Sequence, residues 1–193
     1  FSSCEDNIMG ISKVILGILI LSASLTAATL NVPEDYPTIQ SAINASETGD
    51  IVLVAPGVYT ERLDFLGKSV KVHSSNGSQT TFLRSPDGDS FGQPIVVFYA
   101  NSPTTSELKG FTIDRGNSNH LIRIYNNSSP TIRENVFRNL TASNTVILCE
   151  LGSPLITQNV FASNTVGNAC VGIGAGNATI LNNTFDGNSR GFY

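Results

Sequence analysis

The stretch SPTIRENVFRN, residues 129–139, returns as SPLITQNVFAS at 153–163 and as NATILNNTFDG at 177–187, always at the same step. On that step Leu108, Ile132, Ile156 and Ile180 form one column, and Ile113, Phe137, Phe161 and Phe185 form another. A third holds Asn135, Asn159 and Asn183, with Phe111 at its start. A second segment keeps the same register: HLIRIYN from 120, NTVILCE from 144 and NACVGIG from 168. Self-similarity at a fixed period marks a solenoid or a propeller. Helical repeats would space their apolar residues by 3.6, whereas these segments alternate and are rich in Val, Ile, Thr and Phe. Each repeat therefore reads as one coil of two or three short strands, stacked on the next at about 4.8 Å. A coil then buries its aliphatic and its Phe only against the same residues above and below. The repeated Asn is expected at the sharp bend between strands, because Asn tolerates a left-handed backbone. Its amide is expected to bond the Asn of the next coil, so that the stack satisfies its own polar groups.

Outward from the repeats, YPTIQSAINAS (36–46) is the one good helical segment, with Ile39, Ala42 and Ile43 on one face and Pro37 and Thr38 at its start. An amphipathic helix there suits the open apolar end of a solenoid. Strands are expected around Ile51–Val54, Leu63–Phe65 and Val70–His73, then in TTFLRS (80–85) and PIVVFYA (94–100), with SPDGDSFGQP (85–94) a polar loop. Before all of this, residues 9–28 read as a signal peptide: Lys13 gives a basic start, Val14 to Leu21 an apolar run, and Ser22 to Ala28 a small-residue end. An uncleaved anchor is the alternative, but the apolar run is marginal for a membrane span. Residues 1–8 read as a non-native leader, and 29–193 as a single domain that stops in mid-pattern at GNSRGFY, as a C-terminally truncated piece would. The formal net charge of −4, with 13% charged residues, points to neither nucleic acid nor an anionic membrane as a partner. Trp, the commonest flat platform for sugar stacking, is absent.

The run VPEDYPTIQSAINASETGDIVLVAPGVYTERLDFLGKSVKVHS (32–74), followed by LKGFTI (108–113) and the x-P-x-I-x-x-N-x-F repeats, resembles secreted right-handed parallel β-helix repeat proteins of the pectin-lyase-like superfamily. The resemblance covers residues 31–193. It implies an all-β, right-handed parallel β-helix with about 24 residues per coil and an N-terminal capping α-helix. It also implies export to the cell surface or the medium, with no membrane span left after signal cleavage. The superfamily holds polysaccharide lyases, hydrolases, esterases and epimerases, and also surface proteins without known activity. The front of the chain is similar to pectin methylesterases, yet their paired aspartates have no counterpart after Ile95. The calcium-binding Asp cluster of pectate lyases and the Gly-His-Gly of polygalacturonases are not found either.

The best local constellation is TIDRGNSNHLIRIY (112–125), which offers Asp114, Arg115, His120 and Arg123 as candidate catalytic residues for a uronate. A blander reading follows from register. Asp114 lies one repeat step before Arg138 and would form a surface ion pair worth about 0–1 kcal/mol. His120 lines up with Asn144 and Asn168 in a polar turn column. Cys149 and Cys170 invite a disulfide in an exported protein. Their separation is an odd offset that puts them on opposite faces, with Cys170 in a column with Val146 and Ile122. Sequons at Asn44, Asn76, Asn126, Asn127, Asn139, Asn177 and Asn182 follow from Asn/Ser/Thr-rich turns, and GIGAG (172–176) is a turn without a following helix. No cofactor is expected, and no metal cluster is visible. The reading is a non-catalytic exported module that binds polysaccharide, cell-surface glycan or protein. The alternative is a polysaccharide-active enzyme whose catalytic coils lie outside this stretch.

Overall fold

The computed structural model describes residues 26–86, 93–99 and 102–191. The chain winds through three parallel sheets in turn. The first sheet stacks Thr29–Val32, Ile51–Val54, Lys71–Ser74, Glu107–Lys109, Thr131–Arg133, Leu155–Thr157 and Thr179–Leu181, in chain order. The second stacks Gly57–Thr60, Thr81–Arg84, Thr112–Asp114, Val136–Arg138, Val160–Ala162 and Thr184–Asp186. The third runs Leu63–Asp64, Val96–Phe98, Asn117–Ile124 and Thr141–Cys149, after which Thr165–Val166 and Ala169–Ile173 both pair with Thr141–Cys149. This is an all-β parallel solenoid of about 24 residues per turn, with very little helix. Among the described residues no helix is long and apolar enough to cross a membrane. The leader reading (1–8) and all but residues 26–28 of the signal-peptide reading lie outside the described residues, as does most of the loop expected at 85–94.

Register follows the sequence columns. Thr131 sits beside Glu107, Leu155 beside Thr131 and Thr179 beside Leu155, each one repeat step on. Earlier coils are irregular, since Thr29 pairs with Ile51, Ile51 with Lys71, and Lys71 with Glu107. The long third step contains the polar segment that the sequence reading treats as a loop. Leu108, Ile132 and Ile156 are fully buried in one column. Phe137 and Phe161 stack with ring centroids 4.8 Å apart at 12°, and Phe161 and Phe185 at 4.9 Å and 5°. Those separations are the spacing between adjacent strands, so each ring rests on its own copy.

The asparagine column is a ladder, as expected. Asn135 Nδ2 donates to Asn159 Oδ1 at 3.2 Å and Asn159 Nδ2 to Asn183 Oδ1 at 3.0 Å. Each amide also donates to a carbonyl of the coil before, Leu108 and Ile132 respectively. Phe111, where this column begins, uses its N–H to donate to Asn135 Oδ1 at 3.0 Å. The bend itself is one residue earlier than expected. The left-handed residues are Glu134, Gln158 and Asn182, with φ of 57°, 57° and 53°, and Gly110 at 78°. Glu134 and Gln158 point their side chains to solvent, while Asn135 and Asn159 turn theirs inward to bond the stack. A second ladder was not read from the sequence. Asn164 Nδ2 donates to Asn188 Oδ1 at 2.8 Å and to Phe137 O at 2.9 Å.

The helix runs Ile39–Ala45 and buries Ile39, Ala42 and Ile43. Thr38 caps it: its side chain accepts from Ser41 N, and Ser41 Oγ accepts from Thr38 N. The next coil ties both ends. Glu61 accepts from the N–H groups of Ile39 and Gln40, and Lys68 Nζ donates to the carbonyls of Ile43, Asn44 and Ser46. An anion at the start and a cation at the finish both suit the helix dipole.

Candidate functional site

The pairing of Asn117–Ile124 with Thr141–Cys149 on the third sheet is irregular. Asn117 and Ser118 pair with Thr141 and Ala142, but after a bulge His120 pairs with Thr145 and Ile122 with Ile147. The expected column of His120 with Asn144 is therefore shifted by one, as is that of Ile122 with Val146. The extra residue belongs to Thr141–Cys149, where Ser143 and Asn144 stand opposite Asn119 alone, as in a bulge. His120 Nδ1 lies 2.8 Å from Thr145 Oγ1.

Beside this bulge is a groove of about 300 Å³, lined by Gln93, Pro94, Ser118, Asn119, His120 and Arg123. Arg62 Nη1 braces one wall, donating to the carbonyls of Gln93 and Pro94 at 2.6 and 2.8 Å. Arg123 pairs through Nη2 with Glu150 Oε1. Its guanidinium also lies over the ring of Tyr125, 4.9 Å from the centroid. Tyr125 in turn meets Tyr99 at 4.6 Å and 57°, and Tyr99 is 43% exposed. Groove, guanidinium and two phenol rings thus form one continuous strip. Ser118 Oγ, in the inward column of Ala142 and Val166, and Arg123 Nε are buried and have no hydrogen-bond partner among the described residues. Burial pushes the His120 imidazole below its ordinary pKa; the Arg123 charge pushes the same way and Glu150 opposes it. His120 is then neutral at neutral pH.

Of the four sequence candidates, His120 and Arg123 meet in this groove, and Asp114 and Arg115 do not line it. Asp114 is on the second sheet and only 6% exposed. Arg84 Nε reaches its Oδ1 at 2.6 Å, and Arg138 Nη2 its Oδ2 at 3.5 Å. The expected surface pair with Arg138 is thus a buried carboxylate clamped mainly by Arg84, a residue off the repeat step. Both guanidiniums also lie over Phe82, at 5.6 and 5.7 Å. A further shallow groove lies alongside, lined by Phe82, Thr112, Val136 and Arg138 among others. Arg115 is exposed in a left-handed turn, with φ of 58°.

Among the described residues the carboxylate beside the third-sheet groove is Glu150, and it is paired with Arg123. Paired acid/base chemistry on a glycoside needs two carboxylates that flank one bond. Among the described residues no group of three His, Cys, Asp or Glu is placed to hold a metal ion. Cys149 and Cys170 are both free and buried, and burial raises each thiol to about 11. Such thiols are poor nucleophiles.

Sequence reasoning missed Gln93, Ser118, Tyr99, Tyr125 and Glu150. Ser118 left a signal: in its column Ala142 and Val166 are buried apolar residues, so a hydroxyl there is out of pattern. No family model matches the chain, and neither the curated proteins nor the solved structures include a significant match to it.

Proposed function

We propose that this chain is an exported, right-handed parallel β-helix of the pectin-lyase-like type that binds polysaccharide without turning it over. In this reading residues 9–28 direct export and the helix Ile39–Ala45 closes the first coil, since its apolar face covers an end that water would otherwise reach. The observation that carries the binding role is the strip on the third sheet, in which the groove at Ser118, His120 and Arg123 continues onto the Tyr125 and Tyr99 rings. Amphipathic rings beside hydrogen-bonding groups match a sugar, which has apolar C–H faces and a polar rim. The commitment of Glu150 to Arg123 favours binding over hydrolysis or elimination.

Glycan-array binding and a turnover assay on the same full chain test this reading. The expected result is retention on one or more polysaccharides, with no new reducing ends and no unsaturated uronate formed. Turnover would overthrow the non-catalytic part, and a blank array would overthrow the binding part.

A further inference from the structure

The groove's electrostatics restrict the ligand further than glycan chemistry in general. Arg123 is the cation that lines it, and its charge is met at once by Glu150. Burial and the Arg123 charge leave His120 neutral, and Gln93, Ser118 and Asn119 carry no charge. Arg62 stands behind the wall and directs Nη1 to the Gln93 and Pro94 carbonyls. What the groove offers a ligand is therefore a guanidinium already met by Glu150, the neutral imidazole and the Gln93 and Asn119 amides, next to two tyrosine rings. A sugar hydroxyl satisfies such groups, because it both donates and accepts. A ligand carboxylate or sulfate would instead compete with Glu150 for the same guanidinium, leaving one anion against another in a partly desolvated place.

We infer that the third-sheet groove selects a neutral glycan over an anionic one, its hydroxyls meeting His120, Gln93 and Asn119 while a sugar face lies on Tyr99. This rests on the polysaccharide-binding reading above and goes beyond it by fixing the charge class of the ligand. Glu150 becomes the specificity residue: it neutralises Arg123 and turns anionic chains away.

Calorimetric titration of the full chain with a neutral oligosaccharide series (glucan, mannan and xylan) and with oligogalacturonate of matched length tests the inference. The expected pattern is binding to a neutral member that changes little with salt, and affinity for oligogalacturonate lower by about tenfold or more. Y99A should weaken neutral binding by about tenfold, as loss of a stacking anchor does. E150Q, which keeps the shape and removes the charge, should raise oligogalacturonate affinity by about tenfold and make it fall with salt. Tighter binding of oligogalacturonate by the unaltered protein would overturn the inference and leave the polysaccharide-binding reading standing. Neutral binding that Y99A leaves untouched would also overturn it, since the ligand would sit elsewhere. No binding of either series would overturn both.

Discussion

Asn159 shows how much one side chain carries in this fold. Its Oδ1 accepts from the Asn135 backbone N–H at 3.0 Å and from Asn135 Nδ2, and its Nδ2 donates to Ile132 O and to Asn183 Oδ1. The residue is 1% exposed, so water replaces none of these partners. Replacing it by Leu leaves buried donors of Asn135 and the Ile132 carbonyl with fewer partners, at about 1–3 kcal/mol for each group left unsatisfied. We expect N159L to lose roughly 3 kcal/mol or more in urea unfolding. N168A, which touches only the exposed contact between Asn168 and Asn144, should stay within about 0.5 kcal/mol of the parent. Equal midpoints for N159L and N168A would refute the ladder as a source of stability. The ladder's existence was legible in the recurring Asn, but the left-handed residue was not. Glu134 and Gln158 carry no signature of positive φ, because an exposed turn residue faces solvent whatever it is. The Asn164–Asn188 ladder escaped notice because Leu140 and Gly116 hold the two preceding positions on the same step.

At the scale of elements, the first sheet has its irregular and regular coils fastened across their outer face. Glu107 Oε1 lies 2.8 Å from His73 Nε2 on one neighbouring strand and 2.7 Å from Arg133 Nη2 on the other, and its side chain is 13% exposed. Burial by itself would raise this carboxyl, but the adjoining His73 and the Arg133 guanidinium outweigh it and hold the group down to about 2. A carboxylate depressed in the folded state stabilises above its unfolded pKa and loses that contribution as pH falls through the folded one. For Glu107 the window runs from 4.5 down to about 2. The parent should lose roughly 2–3 kcal/mol of stability across it, over and above other carboxylates, and E107Q should show a flatter curve there. Matching slopes for the two proteins in pH-dependent denaturation would count against the clip. The sequence reading did not foresee it, because the strand that carries His73 lies off the repeat step and only the strand that carries Arg133 lies on it. The groove was hidden for the same reason. Ile122 pairs with Val96 and Leu63 with Val96, steps that no column in the sequence displays. His120 and Arg123 were legible as chemistry-bearing residues, but their partners Glu150, Tyr125 and Tyr99 required the stack.

Taken as a whole, the molecule is a one-dimensional pile in which strands pair only with those of the adjoining coils. That is why fold and register from Glu107 onward could be read from columns, apart from the shift by one between Asn117–Ile124 and Thr141–Cys149, while the earlier coils, with their unequal steps, could be placed only in outline. The same regularity makes the chain length-tolerant in one particular unit. Excising residues 131–154 would join Pro130 to Leu155, the very junction that Pro154 already makes, and bring Leu155 to the place beside Glu107 that Thr131 now fills. Such a shortened protein should keep its β-sheet dichroism and a cooperative melt. Removing one residue fewer should abolish both, because a single-residue slip turns every inward side chain of the following strands outward. The gene can thus gain or lose a storey by simple duplication or loss of its own repeat, and the building stays upright.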